Sequence, residues 1–295
     1  MIKKVQHVLR KILRPSETYN FKTIDFDEIS QYGDSIDALR GGKVDGFLIK
    51  NVLKDFEVDK LLMGYSKFHE SEICHIYEGL SITPEPFSSV SQNNDDLLSY
   101  FNRAELFWED FPISFDFDFV ARMKKVFHSL SSNMSVEIPR GINEQGMFNP
   151  ATFREMSPDI GELQVHCGNQ FRSEFSSFYD HLEKKSNITN QLSYFVMLNP
   201  SESGGELTLY NLRWDHVKKK MSATTLRDLS GKLHDLTNKK SVKRLSVSPQ
   251  KGDMILFCGG QIWHKVELVK GKENRITLGG FLTFAKNKNG LHFWS

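Results

Sequence analysis

SPQKGDMILFCGGQIWHKVELVKGKENR, residues 248–275, decides how the second half of the chain is interpreted. It holds a β-rich apolar run, DMILFCGG, followed by His264 and, eleven residues later, by Arg275. Short β-rich runs separated by Gly, Pro and Asn recur throughout residues 136–295; they include GELQVHCGN, QLSYFVML, GELTLYNL, KRLSVSP and RITLGGFLTF. Such spacing is typical of an antiparallel β-sandwich or barrel.

The first half of the chain has a different pattern. Residues 21–52 contain short strand-like pieces, of which DGFLIKNVL at 45–53 is the clearest. Residues 54–69 and 93–131 carry apolar residues at three- and four-residue intervals, which predicts helices. These segments are expected to form a layer that supports the β-rich half.

Two helical interruptions are expected within the β-rich half, near residues 172–187 and 215–236. The second is rich in Lys, Ser and Thr, and its position between two strands suggests a surface lid. We therefore predict one domain over residues 21–295, mainly β with supporting helices (α+β). Its helical support layer covers about 54–131, and its β-barrel core covers about 136–295.

Composition limits the function classes. The net charge of +1 gives no reason to expect a nucleic-acid partner, and no apolar run approaches membrane-spanning length. Three cysteines without a CxxC pair argue against a disulfide framework or zinc ribbon and predict a reduced, cytoplasmic setting. Residues 1–20 begin with a basic amphipathic stretch that lacks signal-peptide features. A packed or frayed helix is expected there, with a membrane-surface or partner role as the alternative.

Three residues of the β-rich half can carry metal chemistry. His166 lies in GELQVHCGN, and two histidines on facing strands of a barrel can bind one divalent metal. Imidazole suits iron, and open coordination positions admit substrate or oxygen. Arg275, on a neighbouring strand and pointing inward, can grip a carboxylate with its planar fork. His166, His264 and Arg275 together supply the parts of an iron(II)- and 2-oxoglutarate-dependent oxygenase site.

The chain resembles the freestanding iron(II)/2-oxoglutarate-dependent aliphatic halogenases of the hapalindole and welwitindolinone alkaloid type. The stretches that carry the resemblance are VEIPRG, NPATFREM, VHCGNQF, QLSYFVML, SGGELTLYNLRW, GDMILFCGG and ITLGGFLTFAK. The resemblance implies a double-stranded β-helix (a jelly-roll or cupin-like barrel) with His166 and His264 as iron ligands. It also implies that Arg275, assisted by Thr277, binds 2-oxoglutarate, and that Ser193 faces the iron. The alternative for Ser193 is a serine hydrogen-bonded inside a sheet.

Gly168 is the informative departure from a hydroxylase. In a hydroxylase of this class, a carboxylate two residues after the first histidine is the third protein ligand. Gly168 leaves that coordination position to an anion such as chloride. The resemblance therefore predicts an enzyme that uses Fe2+, 2-oxoglutarate, chloride and O2. Its expected reaction is chlorination of an unactivated aliphatic carbon of a freestanding small molecule, by a ferryl-chloride radical mechanism.

Two other functions remain open. A hydroxylase would result if water took the position beside Gly168, or if His181 and Glu183 bound the iron instead. The segment that holds His181 and Glu183 reads as an amphipathic helix, on which residues i and i+2 point in different directions. The other possibility is a barrel that only binds a ligand or partner. The sequence fixes neither the substrate nor the oligomeric state.

Overall fold

The computed structural model describes residues 19–68, 72–90, 94–174, 179–215, 242–287 and 289–295. The amphipathic segment through residue 18 therefore lies outside the described residues, as does nearly all of the helix expected near 215–236. Among the described residues, no helix is both long and apolar enough to cross a membrane.

Strands dominate the described chain. They are β1 (Phe21–Asp25), β2 (Gly46–Lys50), β3 (Cys74–Tyr77), β4 (Leu80–Thr83), β5 (Ser135–Glu137), β6 (Thr152–Met156), β7 (Leu163–His166), β8 (Ser186–Asn199), β9 (Ser203–Gly204), β10 (Leu207–Arg213), β11 (Arg244–Val247), β12 (Met254–Phe257), β13 (Ile262–Val266), β14 (Val269–Lys270), β15 (Arg275–Ala285) and β16 (Gly290–Trp294).

Six α-helices accompany these strands in the described ranges. They are α1 (Ser35–Arg40), α2 (Asp55–Tyr65), α3 (Asn94–Ser114), α4 (Phe119–Leu130), α5 (Gly168–Glu174) and α6 (Asp180–Lys185). Short 3-10 helices cover Phe26–Tyr32, Phe87–Ser89 and Ile142–Glu144.

Two sheets form the barrel. The major sheet has the order β1-β2-β12-β8-β15-β6-β4-β3, with β16 paired to β15 and β5 paired to β16. The minor sheet has the order β11-β10-β13-β7, and β9 pairs with β14 separately. Strands far apart in sequence lie side by side in both sheets. This arrangement confirms the predicted mainly β, jelly-roll architecture with supporting helices.

The alternating side chains of β6 show how the layers are built. Successive residues of a strand point to opposite faces of its sheet. Phe153 stacks on Tyr65 at the end of α2, with ring centroids 4.7 Å apart, and on Phe115 just after α3, at 5.7 Å. Arg154 points the other way and lines a cavity between the two sheets. The helical layer thus covers one face of the major sheet, and the other face is left for a site.

The N-terminal half departs from the prediction in two places. Residues 26–40 of the predicted strand-like region are mostly helical, as a 3-10 turn followed by α1. Within the predicted helical layer at 54–131, β3 and β4 instead form a hairpin. Its turn contains Gly79 at φ +87°, a conformation that favours glycine. β4 pairs with β6, so this hairpin extends the major sheet rather than covering it.

The β-rich run GELQVHCGN, residues 161–169, forms a strand over only part of its length. β7 ends at His166, and α5 begins at Gly168. The backbone N–H of Gly168 bonds to the carbonyl of Gly259 (3.0 Å), and that of Asn169 bonds to the carbonyl of Gly260 (3.1 Å). The chain leaves the ladder here because the glycine loop after β12 accepts these bonds, which a sequence pattern does not reveal.

Candidate active site

The two histidines lie on hydrogen-bonded neighbouring strands. His166 of β7 and His264 of β13 are direct partners in an antiparallel pair of the minor sheet. Their ring centroids are 4.3 Å apart. The sequence predicted two histidines on facing strands; this was wrong, because the two strands are hydrogen-bonded neighbours in one sheet. Directly opposed residues of an antiparallel pair project to the same face, so the pairing itself brings the two imidazoles together.

Each imidazole is oriented by its own strand. Nδ1 of His166 lies 2.6 Å from the carbonyl oxygen of Gln164, and Nδ1 of His264 lies 2.7 Å from that of Ile262. A carbonyl oxygen can only accept, so each Nδ1 carries the proton and donates it. Nε2 of each ring is left with a free lone pair, which is the arrangement found in histidines that bind metals.

Burial keeps both rings neutral. It lowers the pKa of His166 to about 4, and the charge of Arg154 contributes in the same direction. Burial, together with His166, lowers the pKa of His264 well below its usual range. A neutral imidazole does not have to release a proton before it binds a metal ion. The two histidines therefore fit a divalent metal at neutral pH.

Arg275 provides a buried cation on the opposite sheet. It begins β15 of the major sheet, so the prediction that it neighbours the histidine strand was wrong. Its side chain is 2% exposed, its Nε has no hydrogen-bond partner among the described residues, and its guanidinium lies 5.3 Å from the ring centre of Phe195. Burial lowers the pKa of Arg275 to about 10, and Arg154 adds to the effect.

A buried guanidinium group with an unsatisfied Nε is stabilised by a bound anion, although the charge of Glu206 already favours its charged form. Thr277 lies two residues further along β15, on the same face as Arg275, and is 2% exposed. Arg275 and Thr277 therefore fit the carboxylate of a dicarboxylic acid such as 2-oxoglutarate.

A cavity of about 90 Å³ separates the two sheets at this point. Both histidines, Gly168 and Ser193 line it, whereas none of the described residues that line it is an aspartate or glutamate. Among the described residues, no group of three or more His, Cys, Asp and Glu side chains is placed to hold a metal. The site therefore offers two imidazoles and no carboxylate.

Arg154 is a site residue that the sequence did not single out. It lines the cavity, and its Nε has no hydrogen-bond partner in the described part of the chain. Its charge lowers the pKa values of His166, His264 and Arg275, so it acts on both histidines and on the buried arginine of the site. The available signal was a charged residue in the middle of a strand, in the stretch NPATFREM.

Gly168 has little room for a side chain. A Cβ atom at this position would lie 2.9 Å from Nε2 of Gln191 and 3.2 Å from Cα of Gly260. Both are closer than ordinary van der Waals contact. The protein therefore has glycine at 168 for a local steric reason as well as for any reason of chemistry.

Ser193 lies on β8, half-buried, with a hydroxyl that lines the cavity. It makes no hydrogen bond to any described residue, so the alternative of a serine bonded within the sheet finds no support. A Cβ atom at Gly259 would overlap Ser193 Oγ. Glycine at 259, in the run DMILFCGG, thus leaves space for this serine.

His181 and Glu183 lie on α6, as the helical reading of this segment predicted. Glu183 pairs with Arg172 of α5 through its carboxylate. The carboxylate is therefore engaged on the surface of the helices and is not a member of any described metal-binding group.

Similar folds occur among solved structures. An N-substituted L-amino acid dioxygenase from Burkholderia ambifaria AMMD superposes with a TM-score of 0.56 and 15% identity, covering 89% of this chain and 91% of that chain. The same enzyme in complex with alpha-KG gives a TM-score of 0.54 at 14% identity, with the same coverage. At these identities the likeness concerns the fold alone. No protein of curated function matches the sequence.

A family comparison extends over most of the chain. The profile of the carrier-protein-independent halogenase WelO5 matches residues 18–295. The match confirms the resemblance stated from the sequence, and with it a non-haem iron(II)- and 2-oxoglutarate-dependent enzyme. It also confirms the predicted cofactors, Fe2+ and 2-oxoglutarate with chloride and O2, and a small-molecule substrate. The chain belongs to the family of carrier-protein-independent halogenases.

Proposed function

We propose that this protein chlorinates an unactivated aliphatic carbon of a freestanding small molecule. The observation that carries the proposal is the pair His166 and His264, whose Nε2 atoms are free, beside Gly168 and without a neighbouring carboxylate. In this proposal the two Nε2 atoms bind iron(II). Arg275 and Thr277 bind the far carboxylate of 2-oxoglutarate.

The bound iron and 2-oxoglutarate would supply the activation of O2 that removes hydrogen from an unactivated carbon. The chain's own residues set the outcome. Gly168 leaves one coordination position without a protein ligand. The positive charge of Arg154 favours an anion over water in that position. The hydroxyl of Ser193 can donate a hydrogen bond into the same cavity, and aromatic walls that include Phe257 and Phe281 exclude water.

Product analysis tests the chemistry. Purified protein would be loaded anaerobically with iron(II), 2-oxoglutarate and chloride, exposed to O2, and supplied with a panel of apolar small molecules, amino acids, nucleotides and terpenoids. We expect at least one product with the isotope pattern of chlorine in mass spectrometry. If every turned-over substrate gave only hydroxylated product, the protein would be a hydroxylase and the proposal would be wrong.

Metal binding tests the site without needing a substrate. Titration of the metal-free protein with Co(II), followed by its visible absorption, should show one site. His166→Ala and His264→Ala should each weaken binding by about 100-fold or more, because each removes one of only two protein ligands. His181→Ala is the matched control and should bind Co(II) like the wild type. Equal loss in His181→Ala would contradict the assignment of the histidines.

A further inference from the structure

Gln191 faces the place where a side chain at residue 168 would extend. It lies on β8, is 4% exposed and lines the cavity. Its Nε2 is 2.9 Å, and its Cδ 3.5 Å, from the Cβ position of residue 168. Its carboxamide makes no hydrogen bond to any described residue. Because Gln191 lines the cavity, its N–H groups are available to a ligand there that accepts a hydrogen bond.

The backbone around Gln191 fixes its position relative to Gly168. The N–H of Gly260 donates to the carbonyl of Gln191 (2.8 Å), while the N–H of Gly168 donates to Gly259 (3.0 Å). A Cβ at Gly260 would lie 2.6 Å from the Gln191 carbonyl oxygen, so only glycine allows this approach. One loop thus holds β8 and the start of α5 together.

A pair of asparagines strengthens this junction. Asn169 Nδ2 donates to Asn190 Oδ1 at 2.6 Å, and the backbone N–H of Asn190 donates to Asn169 Oδ1 at 3.0 Å. The two bonds clamp the residue after Gly168 to the residue before Gln191. The backbone of Gln191 is therefore fixed beside the open position, while its carboxamide makes no hydrogen bond to a described residue.

We propose that Gln191 is a specificity-determining residue of the site assigned above. Its carboxamide lies against the Cβ position of residue 168, where it competes with any side chain placed there, and its N–H donates to the halide that takes the open position. A neutral N–H donor stabilises an anion, and Arg154, which also lines the cavity, adds a positive charge. This inference rests on the proposed function, because it places a metal and a halide beside Gly168.

A double-variant experiment tests the steric half by metal affinity. Gly168→Asp alone should bind Co(II) less tightly than the same variant with Gln191 removed, because its side chain must first displace the Gln191 carboxamide and shift Gly260. Gly168→Asp combined with Gln191→Gly should bind Co(II) at least about tenfold more tightly than Gly168→Asp alone, since the carboxylate can then become a third ligand. The matched control combines Gly168→Asp with Gln145→Ala, at an exposed glutamine that does not line the cavity. Its Co(II) affinity should equal that of Gly168→Asp alone.

A chloride titration tests the donor half and does not depend on the folding of any Gly168 variant. The absorption of the Co(II)- and 2-oxoglutarate-loaded protein would be followed as chloride is added without O2. Gln191→Ala and Gln191→Leu should raise the chloride Kd by about tenfold or more, as expected for one hydrogen bond to an anion. Gln145→Ala should leave it unchanged.

The outcomes separate the two proposals. Wild-type protein that binds neither Co(II) nor chloride would overturn both. Wild-type protein that binds both, with Gln191 variants of unchanged chloride Kd, would overturn only the role of Gln191. The same conclusion would follow if Gly168→Asp alone tightened Co(II) binding as much as the double variant.

Discussion

At the scale of single residues, charge distinguishes this cavity. Arg154 and Arg275 each have an Nε without a hydrogen-bond partner among the described residues, and no carboxylate lines the cavity. Burial and the charge of Arg154 lower the pKa of Arg275, while Glu206 opposes them, and a bound anion would favour both charged guanidinium groups. The site is therefore built for negatively charged ligands.

Replacement of Arg275 by lysine should weaken 2-oxoglutarate binding at least about tenfold, because an ammonium group cannot reproduce the two-pronged contact with a carboxylate. Titration of 2-oxoglutarate into Co(II)-loaded protein without O2 would measure the Kd. Arg103→Lys, which changes an exposed partner of Glu85, is the control and should have no effect. An unchanged Kd in Arg275→Lys would show that another group binds the keto acid.

Gly259 and Ser193 should behave as a coupled pair. Gly259→Ala should destabilise the protein by about 1–3 kcal/mol, because the new methyl group overlaps the Ser193 hydroxyl. Ser193→Gly should recover part of this loss in the double variant. Thermal unfolding of the four proteins gives the coupling free energy. Additive effects would contradict the close approach of these two residues.

At the scale of elements, a buried ion pair joins two helices of the supporting layer. Glu57 of α2 accepts two bonds from Arg122 of α4, at 2.6 and 3.1 Å, and one from the backbone N–H of Lys54 at 2.8 Å. Burial by itself would raise the pKa of Glu57, but these bonds outweigh it and the pKa is lowered. The pair therefore stabilises the layer while Glu57 is ionised.

Glu57→Gln should lower the free energy of unfolding by about 2–4 kcal/mol at pH 7, because it leaves the Arg122 charge uncompensated. Since the folded pKa lies below the unfolded one, this contribution is complete above the unfolded pKa. It is lost as pH falls through the folded pKa, so the two proteins should converge in acid. Urea unfolding of both proteins at several pH values measures the difference in their free energies of unfolding.

The same helix offers a control for Glu57. Asp59 of α2 pairs with Lys251, with side chains 65% and 33% exposed. Asp59→Asn should change stability by less than about 1 kcal/mol at any pH, because exposed pairs contribute little. A loss as large as that of Glu57→Gln would mean that position on the helix, rather than the buried pair, determines the effect.

At the scale of the whole molecule, the site lies between two sheets. His166 and His264 come from the minor sheet, and Arg275 comes from the major sheet. A metal and a keto acid bound together would link these sheets. Their binding should therefore raise the free energy of unfolding of the entire barrel.

Metal-free protein should therefore gain about 2.7 kcal/mol when Co(II) is present at about 100 times its Kd. This corresponds to a rise in Tm of roughly 5 to 10 °C for a protein of this size. Differential scanning fluorimetry, with and without a chelator, would measure the shift. The variant His166→Ala/His264→Ala should show no rise; an equal rise there would place the metal elsewhere.

Much of the fold and of the site could be predicted from the sequence. Alternation along RITLGGFLTF and the other β-rich runs predicts strands and tells which residues share a face, and helical periodicity identifies α2, α3 and α4. The distance from His264 to Arg275 and the glycine at 168 are also visible in the sequence. These features depend on local geometry, which repeats every two residues in a strand and about every 3.6 in a helix.

Pairing between strands was decided by the tertiary structure. Only the folded chain makes His166 and His264 direct partners, puts Arg275 on the opposite sheet and starts a helix at Gly168. Arg154 and Gln191 enter the site in the same way, from strands of the major sheet rather than from the sheet that holds the histidines. Period-two alternation fixes the face of a side chain but not its neighbour, because cross-strand register depends on contacts between distant segments and on glycine loops that let backbones approach.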